Sequence, residues 1–492
     1  MFIDKFIKKE LKIIKRERII KMMKNNKIKK ITAVAVSVIM AAMMLSACGS
    51  GSPSKSADGK TIITVGDWPS KDGIEKDNME DSKAKFEAAN SDIEVKPDSW
   101  QFELKSFYAK AAGGQLPTVY KTNFTEAPQI IASGYSSDLT AALEKYKLAD
   151  KFNKNIMRLV SKDGKVFAFP YAAYAFGMAY NVDLMEQAGL MDADGTPKQP
   201  KDWSEVAEFA VQIKEATGKP GIAFPTASNF GGWVFMPVAW SYGVSFMEQD
   251  SDGKWKATFD TPEAVEALQY IKDLKWKYDV LPANSIVTGE DYYRIFGTNG
   301  AGMIIAAGDV PNMLTQYDMK PEQIGMMAMP AGPKKHVTLL GGNLYAVSQS
   351  ADADQVDAAV RWIMNANNPE ITDSVKSENE KEIAKKLERN ELVGIKSMRV
   401  WNENAESTKF INDLIDSKAN ANINHVKLYN DFMANMGDCE LHTEEPMCAQ
   451  ELYSILDSCI QSVLEDKNAD CAEILKKGCS DFQSNYLDNI DY

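Results

Sequence analysis

Strand-like and helix-like stretches alternate between residues 61 and 126, and this alternation constrains the fold more than any other feature of the sequence. The stretches that predict strands are 61–68, 93–100 and 118–120, and those that predict helices are 79–92 and 102–117. The alternation indicates a parallel α/β sheet with helices on both faces. Ligands bind beyond the carboxyl ends of the strands in such sheets, so Asp67, Trp68 and residues 123–126 are expected at a binding surface.

The middle of the chain has a different pattern. Residues 166–181 are apolar, small and aromatic without a helical period, which predicts a buried strand that crosses between two lobes. Start and stop signals predict helices from Asp202 to Gly218 and over 261–278. The other expected features are a hairpin turn at 250–255, a strand ending at the Gly308-Asp309 turn, a last strand preceded by Gly341-Gly342, and mostly helix from Asn367 onward.

Length and charge restrict the class of protein. A chain of 492 residues exceeds what one hydrophobic core fills, about 250–300 residues, so two or more lobes are expected. The formal net charge is −13, yet residues 1–30 carry 12 Lys and Arg against 3 acidic residues, which leaves −22 on the rest. An acidic body argues against nucleic acid or an anionic membrane surface as the main partner.

The N-terminal region predicts export. Residues 31–45 are apolar and follow a basic stretch, but a membrane span needs about 20 apolar residues, so this segment is typical of a signal peptide. Small residues precede Cys48, and "LSAC" resembles a bacterial lipobox, whose cysteine is acylated and becomes the mature N-terminus. We expect a signal peptide over 1–47, then a lipidated Cys48 and a flexible tether over 48–60. The alternative is a secretory signal with an incidental cysteine.

Residues 1–21 precede that signal and have two interpretations. They have the pattern of a basic amphipathic helix that could lie on a membrane. Alternatively, translation starts at Met22 or Met23 and the first 21 residues are an over-extended start, which we favour because it gives a conventional signal-peptide length.

The other cysteines cluster in the last 54 residues, at positions 439, 448, 459, 471 and 479. In an exported protein this clustering predicts local disulfides, although five cysteines cannot all pair and two bridges can be drawn in 15 ways. His442 lies between two of them, but no CxxC spacing supports a metal site. No metal is therefore expected.

Catalytic motifs are scarce, whereas aromatic residues are frequent in predicted loops. The three histidines stand in unrelated contexts, and Asp67 is the nearest candidate for a catalytic carboxylate. Flat rings suit the apolar faces of sugars, and core packing is the alternative for each ring. The aromatic candidates are Trp68, Trp100, Phe124, Tyr171, Tyr174, Phe230, Trp233, Trp240 and Tyr345. Gly, Pro or loop residues flank Trp68, Tyr174 and Trp233, which favours these three.

Five motifs in order carry a family resemblance from Thr61 to Asp466. They are "AKFEAANSDIEVK", "AAGGQLPTV", "DGKVFAFPYAAYAFGMAYNVDLMEQAGL" followed by "PKDWSE", "YYRIFGTNGAGMIIAAGDV" and "MPAGPKKHVTLLGGNLYAVS". The chain resembles the family 1 extracellular solute-binding proteins, the maltose-binding-like lipoproteins of sugar ABC transporters. Thr118 stands where the family usually has Asp in the second motif.

The resemblance implies an α/β, two-lobe periplasmic-binding-protein-like fold of type II, with discontinuous lobes, a multi-strand hinge and a helical C-terminal part. Carried onto this chain, lobe 1 comprises 61–169 and 342–395. Lobe 2 comprises 170–341 and 396–492 and includes the cysteine-containing C-terminus. The crossings fall near 169–171 and 340–343.

The resemblance also implies where the ligand would bind. With the residues placed by the strand pattern, the expected ligand contacts are Asp67, Trp68, Asn123, Thr125, Tyr171, Tyr174, Trp233, Asp309, Asn343 and Tyr453. Val310 stands where many relatives have Trp, which removes one stacking platform and puts a standard malto-oligosaccharide site in doubt.

The implied function is a lipid-anchored binding protein at the extracellular face of a Gram-positive-type membrane, which passes a carbohydrate to ABC permease subunits. No cofactor, nucleic acid or catalysis is implied, and a monomer is expected. The alternatives are a surface enzyme acting on polysaccharide, a binding protein for a peptide or polyamine, and a sensory surface lipoprotein.

Overall fold

Two long strands shared by two sheets organise the molecule, whose computed structural model describes residues 54–490. The strands are β1 (Thr61–Val65), β2 (Ile93–Pro97), β3 (Val119–Asn123), β4 (Ser161–Lys162), β5 (Lys165–Val166), β6 (Ala168–Asn181), β7 (Met247–Gln249), β8 (Trp255–Ala257), β9 (Met303–Ala307), β10 (Ile324–Met327), β11 (Val337–Val347) and β12 (Glu440–His442).

The helices connect these strands and make up most of the C-terminal region. They are α1 (Ile74–Ala89), α2 (Leu104–Ala112), α3 (Ala127–Ala132), α4 (Thr140–Lys145), α5 (Lys154–Met157), α6 (Val182–Gln187), α7 (Trp203–Thr217), α8 (Phe230–Tyr242), α9 (Pro262–Trp276), α10 (Gly289–Gly297), α11 (Val310–Leu314), α12 (Ala353–Ala366), α13 (Asp373–Glu388), α14 (Glu406–Lys418), α15 (Asn424–Ala434), α16 (Ala449–Glu465) and α17 (Cys471–Asn485).

The first sheet has the strand order β2-β1-β3-β11-β6. The strand β1 pairs in parallel with both β2 and β3, as the alternation of strands and helices predicts. Its β-branched side chains Ile62, Ile63 and Val65 are buried, which explains why this short run forms a central strand. The strand β11 joins antiparallel to β3, so the sheet as a whole is mixed.

The strand β6 continues from the first sheet into a second group of strands, and β11 extends beyond the first sheet to pair with β12. The first half of β6 pairs with β11, and its second half pairs with β9 and β10, for example Phe176 with Ala307. The other end of β11 pairs with β12. The strand predicted over 166–181 is therefore confirmed as β6, and β11 runs beside its first half.

The Gly341-Gly342 pair lies inside β11, which corrects the expectation that it precedes the strand. A Cβ atom at Gly341 would overlap the ring of Tyr174, which lies opposite it on β6. A Cβ atom at Gly342 would overlap the carbonyl oxygen of Ala172 and the ring of Phe124. These glycines therefore allow close approach between strands and do not form a turn.

Local signals place the helices as expected. The Asp202 carboxylate accepts hydrogen bonds from the backbone N–H groups of Ser204 and Glu205 at the start of α7, and Gly218 ends that helix at φ 69°. Thr261 caps α9 in the same way. The region after Asn367 is mostly helical, as predicted, apart from β12 and the irregular segment 389–405. A hairpin turn joins β7 to β8, which confirms the turn predicted at 250–255.

Residues 54–60 differ from the expected tether. Ile62 donates a backbone hydrogen bond to Ser54, and Lys55 forms an ion pair with Asp354 at 2.7 Å. This part of the segment is therefore held against β1 and α12 and is not a flexible chain. Cys48, the proposed signal peptide and the rest of the tether lie outside the described residues.

The five late cysteines are free thiols, so the predicted local disulfides are not formed. Each sulfur lies in its own packing environment: the Cys459 thiol, for example, faces the carbonyl oxygen of Ile474 at 4.0 Å. Burial raises the pKa of Cys439 and of Cys459 to about 12, so these thiols stay protonated and behave as small core residues. His442 stacks on Trp240, with ring centroids 4.1 Å apart.

Residues 54–490 contain neither a metal-binding group of side chains nor a membrane-spanning helix. No His, Cys, Asp and Glu side chains in this part of the chain form a group of three or more suited to a metal ion. Within the same residues, every helix is too short or too polar to cross a membrane.

Candidate functional site

The loop after β3 forms one wall of the candidate site. The Asn123 side chain accepts a hydrogen bond from the backbone N–H of Glu126 at 3.2 Å, which shapes the loop. The backbone N–H of Phe124 donates to the carbonyl of Gly342, which fixes the loop to the crossing strand β11. Thr125 and Glu126 are half-buried at the tip of this wall.

The helices α8 and α16 form the opposite wall. The Asp457 carboxylate of α16 accepts hydrogen bonds from the backbone N–H groups of Asn229 and Gly232, both at 2.7 Å, at the start of α8. A Cβ atom at Gly232 would overlap the backbone of Tyr453, so glycine allows the two helices to touch. This contact brings Trp233 next to Tyr453.

Glu444 joins the two walls. Thr125 donates a hydrogen bond of 3.2 Å to the Glu444 carboxylate across 319 residues of sequence. The Tyr453 hydroxyl and the Trp233 indole N–H also face this carboxylate, although neither forms a hydrogen bond of normal geometry with any described group. Burial raises the pKa of Glu444, and the three donors oppose that rise.

Glu126 lies near Glu444 and has no cation beside it. Burial, with the nearby Glu444 charge added, raises the pKa of Glu126 to about 7. Among residues 54–490, neither of the two carboxylates has an ion-pair partner. The Tyr108 hydroxyl, whose pKa is raised by burial and by Glu126, is also without a hydrogen-bond partner.

Tyr174 completes this group from the crossing strand β6. Burial, with smaller contributions from Glu444 and Asp309, raises its pKa to about 12. Phe176 lies between Tyr174 and Trp233, with ring centroids 6.5 Å and 4.8 Å away. We call Thr125, Glu126, Tyr174, Trp233, Glu444 and Tyr453 the Glu444 cluster.

A second group surrounds Asp67, which follows β1 with a left-handed φ of 57°. The rings of Tyr171 and Tyr345 lie 4.6 Å apart, and the Lys121 ammonium lies 6.0 Å and 5.8 Å from their centroids. Burial raises the pKa of Asp67, and the charge of Lys121 opposes the rise. We call Asp67, Lys121, Tyr171 and Tyr345 the Asp67 cluster.

The structure therefore brings most of the predicted contacts together and sets one apart. Thr125, Tyr174, Trp233 and Tyr453 meet in the Glu444 cluster, with Asp309 beside them, and Asp67 and Tyr171 meet in the second cluster. Asn123 and the exposed Asn343 lie opposite each other on β3 and β11. Trp68, in contrast, is only 4% exposed, donates a hydrogen bond to Glu80 and stacks on Trp362 in the core.

The sequence did not predict Glu444 or Lys121 as site residues. It placed Glu126 at the binding surface only as part of residues 123–126, without a role for its charge. The one local signal for Glu444 is the Glu444-Glu445 pair in a short loop before a helix. Glu445 is 5% exposed and accepts a hydrogen bond from the Trp240 indole at 3.0 Å, which anchors this loop. Burial raises the pKa of Glu445 to about 7.

Two cavities of the molecule are compared with these clusters, and one of them is lined by a cluster residue. A cavity of about 380 Å³ includes Tyr171 and residues 397–401. A larger one, about 1240 Å³, lies between residues 149–161 and 433–441, and neither is lined by Thr125, Trp233, Glu444 or Tyr453.

A mixed α/β fold with two halves, shared crossing strands and a polar aromatic cluster between them defines a type II periplasmic-binding-protein-like molecule. Residues 71–371 match the family described as bacterial extracellular solute-binding protein, and the chain belongs to that family. This confirms the resemblance found in the sequence.

Individual relatives share low identity with the chain. A binding protein of Brucella abortus is 26% identical over 284 residues, which cover 56% of this chain and 65% of that protein. The maltodextrin-binding protein MdxE of Bacillus subtilis is 25% identical over 346 residues, covering 66% of this chain and 74% of the relative.

The similarity in fold covers more of this chain than the similarity in sequence does. The cyclic alpha-maltosyl-1,6-maltose binding protein from Arthrobacter globiformis superposes with a TM-score of 0.60 at 20% identity, covering 88% of this chain and 100% of the other.

Proposed function

We propose that the chain captures a carbohydrate, with an oligosaccharide favoured, between two lobes and delivers it to an ABC permease. The lobes are residues 61–169 with 342–395 and residues 170–341 with 396–492. The observation that supports this best is the Thr125–Glu444 hydrogen bond, because it joins two walls rich in rings and polar groups. Relatives named for maltodextrin and for a cyclic maltosyl-maltose support the substrate class.

The cleft supplies the groups that carbohydrate recognition needs. Tyr174, Trp233 and Tyr453 present rings, and the carboxylates and amide groups accept or donate hydrogen bonds to hydroxyls. Contacts from both walls would favour a closed state, because a ligand shifts the equilibrium toward the state that it binds better. No bond of the sugar is made or broken in this function.

A thermal-shift screen against mono- and oligosaccharides tests the proposal. A ligand at a hundred times its Kd stabilises the folded state by about 2.7 kcal/mol, which is a clear rise in Tm. Turnover of a sugar would overturn the binding function, and a response to peptides alone would overturn the carbohydrate class. The variant Trp233→Ala should lose the response, whereas Trp276→Ala, whose ring lies away from the cleft near Val463, should keep it.

We also propose that Cys48 carries the lipid that holds the protein at the outer face of a membrane. The apolar segment, the small residues before Cys48 and the late position of the other cysteines support this. Labelled palmitate should attach to the wild-type protein in cells and not to Cys48→Ala, and the variant should appear in the medium. A labelled Cys48→Ala protein would contradict the proposal.

A further inference from the structure

The two carboxylates of the Glu444 cluster come from opposite walls and lack a positive partner. Glu126 follows β3 of the first sheet, and Glu444 follows β12 beside the second sheet. Within the described part of the chain, the structure places no Lys, Arg or His in an ion pair with either. Half-buried carboxylates without a counter-charge are costly, so a partner from outside the chain would be favoured.

The positions of both carboxylates are held by other contacts. Glu445 anchors the Glu444 loop through the Trp240 indole, and Thr125 holds the Glu444 carboxylate directly. Asn123 holds the backbone of Glu126. The acidic pair is therefore a built feature of the cleft and not a flexible surface cluster.

Buried polar groups without partners point into the same space. Tyr453 is 1% exposed, yet its hydroxyl has no hydrogen-bond partner of normal geometry and faces Glu444. The Trp233 indole N–H also has no hydrogen-bond partner of normal geometry, although the Trp233 side chain is half-buried. Unsatisfied buried donors are rare in native proteins, and here they lie beside the carboxylates, which indicates a missing ligand.

The rings around the carboxylates suit a cation as well as a sugar. A protonated amine is attracted by the faces of Trp and Tyr rings and forms charge-assisted hydrogen bonds with carboxylates. Among residues 54–490, the charge of Lys121 acts on Asp67, and no cation contributes to the pKa of Glu126 or of Glu444.

We propose that the Glu444 cluster recognises a protonated amine and that the ligand is an amino sugar. The inference rests on the proposed carbohydrate function, of which it specifies the substrate class. The amine would lie between Glu126 and Glu444, and the hydroxyls of its ring would pair with Tyr453 and the Trp233 indole N–H.

Calorimetry at neutral pH with matched ligands tests this. Glucosamine oligomers of two to four units are compared with their N-acetylated forms and with glucose oligomers of the same linkage, and spermidine serves as an amine without a sugar. We expect the free amines to bind at least about tenfold more tightly than either neutral series. Glu444→Gln should remove that preference, whereas Glu440→Gln, an exposed residue paired with Lys335, should keep it.

The outcomes separate the two proposals. Equal or tighter binding of a neutral sugar would overturn amine recognition and leave the carbohydrate function in place. Binding of spermidine without any sugar would overturn both the amino-sugar ligand and the carbohydrate class. Binding of none of these ligands would overturn both. The comparison of ligands on the wild-type protein decides the question even where a Glu444 variant does not fold.

Discussion

The Glu444 cluster and the Asp67 cluster contain similar groups but satisfy their charges differently. Both combine half-buried carboxylates with aromatic rings. Asp67 has Lys121 nearby, whereas Glu126 and Glu444 have only each other and neutral donors. The Lys121 charge favours the ionised form of Asp67 without forming an ion pair with it, whereas no cation does the same for Glu126 or Glu444 among residues 54–490.

The largest expected effect comes from giving the Glu444 cluster its own cation. In Glu444→Lys the new ammonium would pair with Glu126 and fill the place of the ligand, so we expect binding to weaken at least about a hundredfold, equivalent to about 2.7 kcal/mol. Calorimetry with the ligand found in the screen measures this. Glu451→Lys makes the same charge change at an exposed position and should bind normally. Wild-type affinity in Glu444→Lys would show that the cluster is not the site.

The next largest expected effect is a loss of stability of the ligand-free protein as the pH rises. The pKa of Glu126 in the folded state, about 7, lies above its ordinary value of 4.5. Its contribution to stability is therefore complete below about pH 4.5 and is lost as the pH rises through 7. We expect the wild type to lose about 1–3 kcal/mol of stability from this group between pH 5 and pH 8.

Urea unfolding at both pH values checks the prediction by comparing the wild type with Glu126→Gln. The loss should be smaller in the variant, while the exposed control Glu144→Gln should match the wild type. Since Glu445 also has a raised pKa, only the difference between the two proteins reports on Glu126. The same loss in both would contradict the assignment.

Removing the cation of the Asp67 cluster should have a smaller effect. Lys121→Met leaves Asp67 without a nearby positive charge, so its pKa should rise further and the protein should lose about 0.5–1.5 kcal/mol at pH 7. The double variant with Asp67→Asn should recover most of this loss in unfolding experiments. Lys154→Met, at an exposed position, is the control. An unchanged stability in Lys121→Met would mean that the two clusters do not differ in this way.

The smallest effect compares two tyrosine hydroxyls. Tyr453→Phe removes a buried hydroxyl that faces Glu444 without a hydrogen bond of normal geometry, so the stability of the free protein should stay within about 0.5 kcal/mol and ligand affinity should fall about threefold to tenfold. Tyr345→Phe removes a hydroxyl that interacts with Asn367 and should lower stability without changing affinity. Melting curves and calorimetry distinguish the two, and the reverse pattern would refute the comparison.

Local signals predicted much of the fold. The cap at Asp202, the end at Gly218 and the crossing strand β6 each follow from patterns within about 20 residues of sequence. The site depends on longer distances. Trp68 is flanked like a ligand contact but is covered by Trp362, which is 294 residues away, and Glu444 meets Thr125 across 319 residues. Such contacts leave no local pattern.

The cysteines and glycines show the same limit. The cysteine cluster predicted disulfides, and Gly341-Gly342 was expected to precede the last strand. The packing around Cys459 and the ring of Tyr174 instead determine the roles of Cys459 and Gly341. A cysteine can form a disulfide or pack in the core, and a glycine can form a turn or allow close approach between strands. The three-dimensional neighbours of the residue decide which role applies.

The shared strands β6 and β11 have a consequence for how the molecule can be divided. The strand β6 pairs with β11 up to Ala175 and with β9 from Phe176 onward, so a cut between Ala175 and Phe176 would leave unpaired strand edges on both sides. Neither half is a module that could be expressed alone or exchanged with that of a relative.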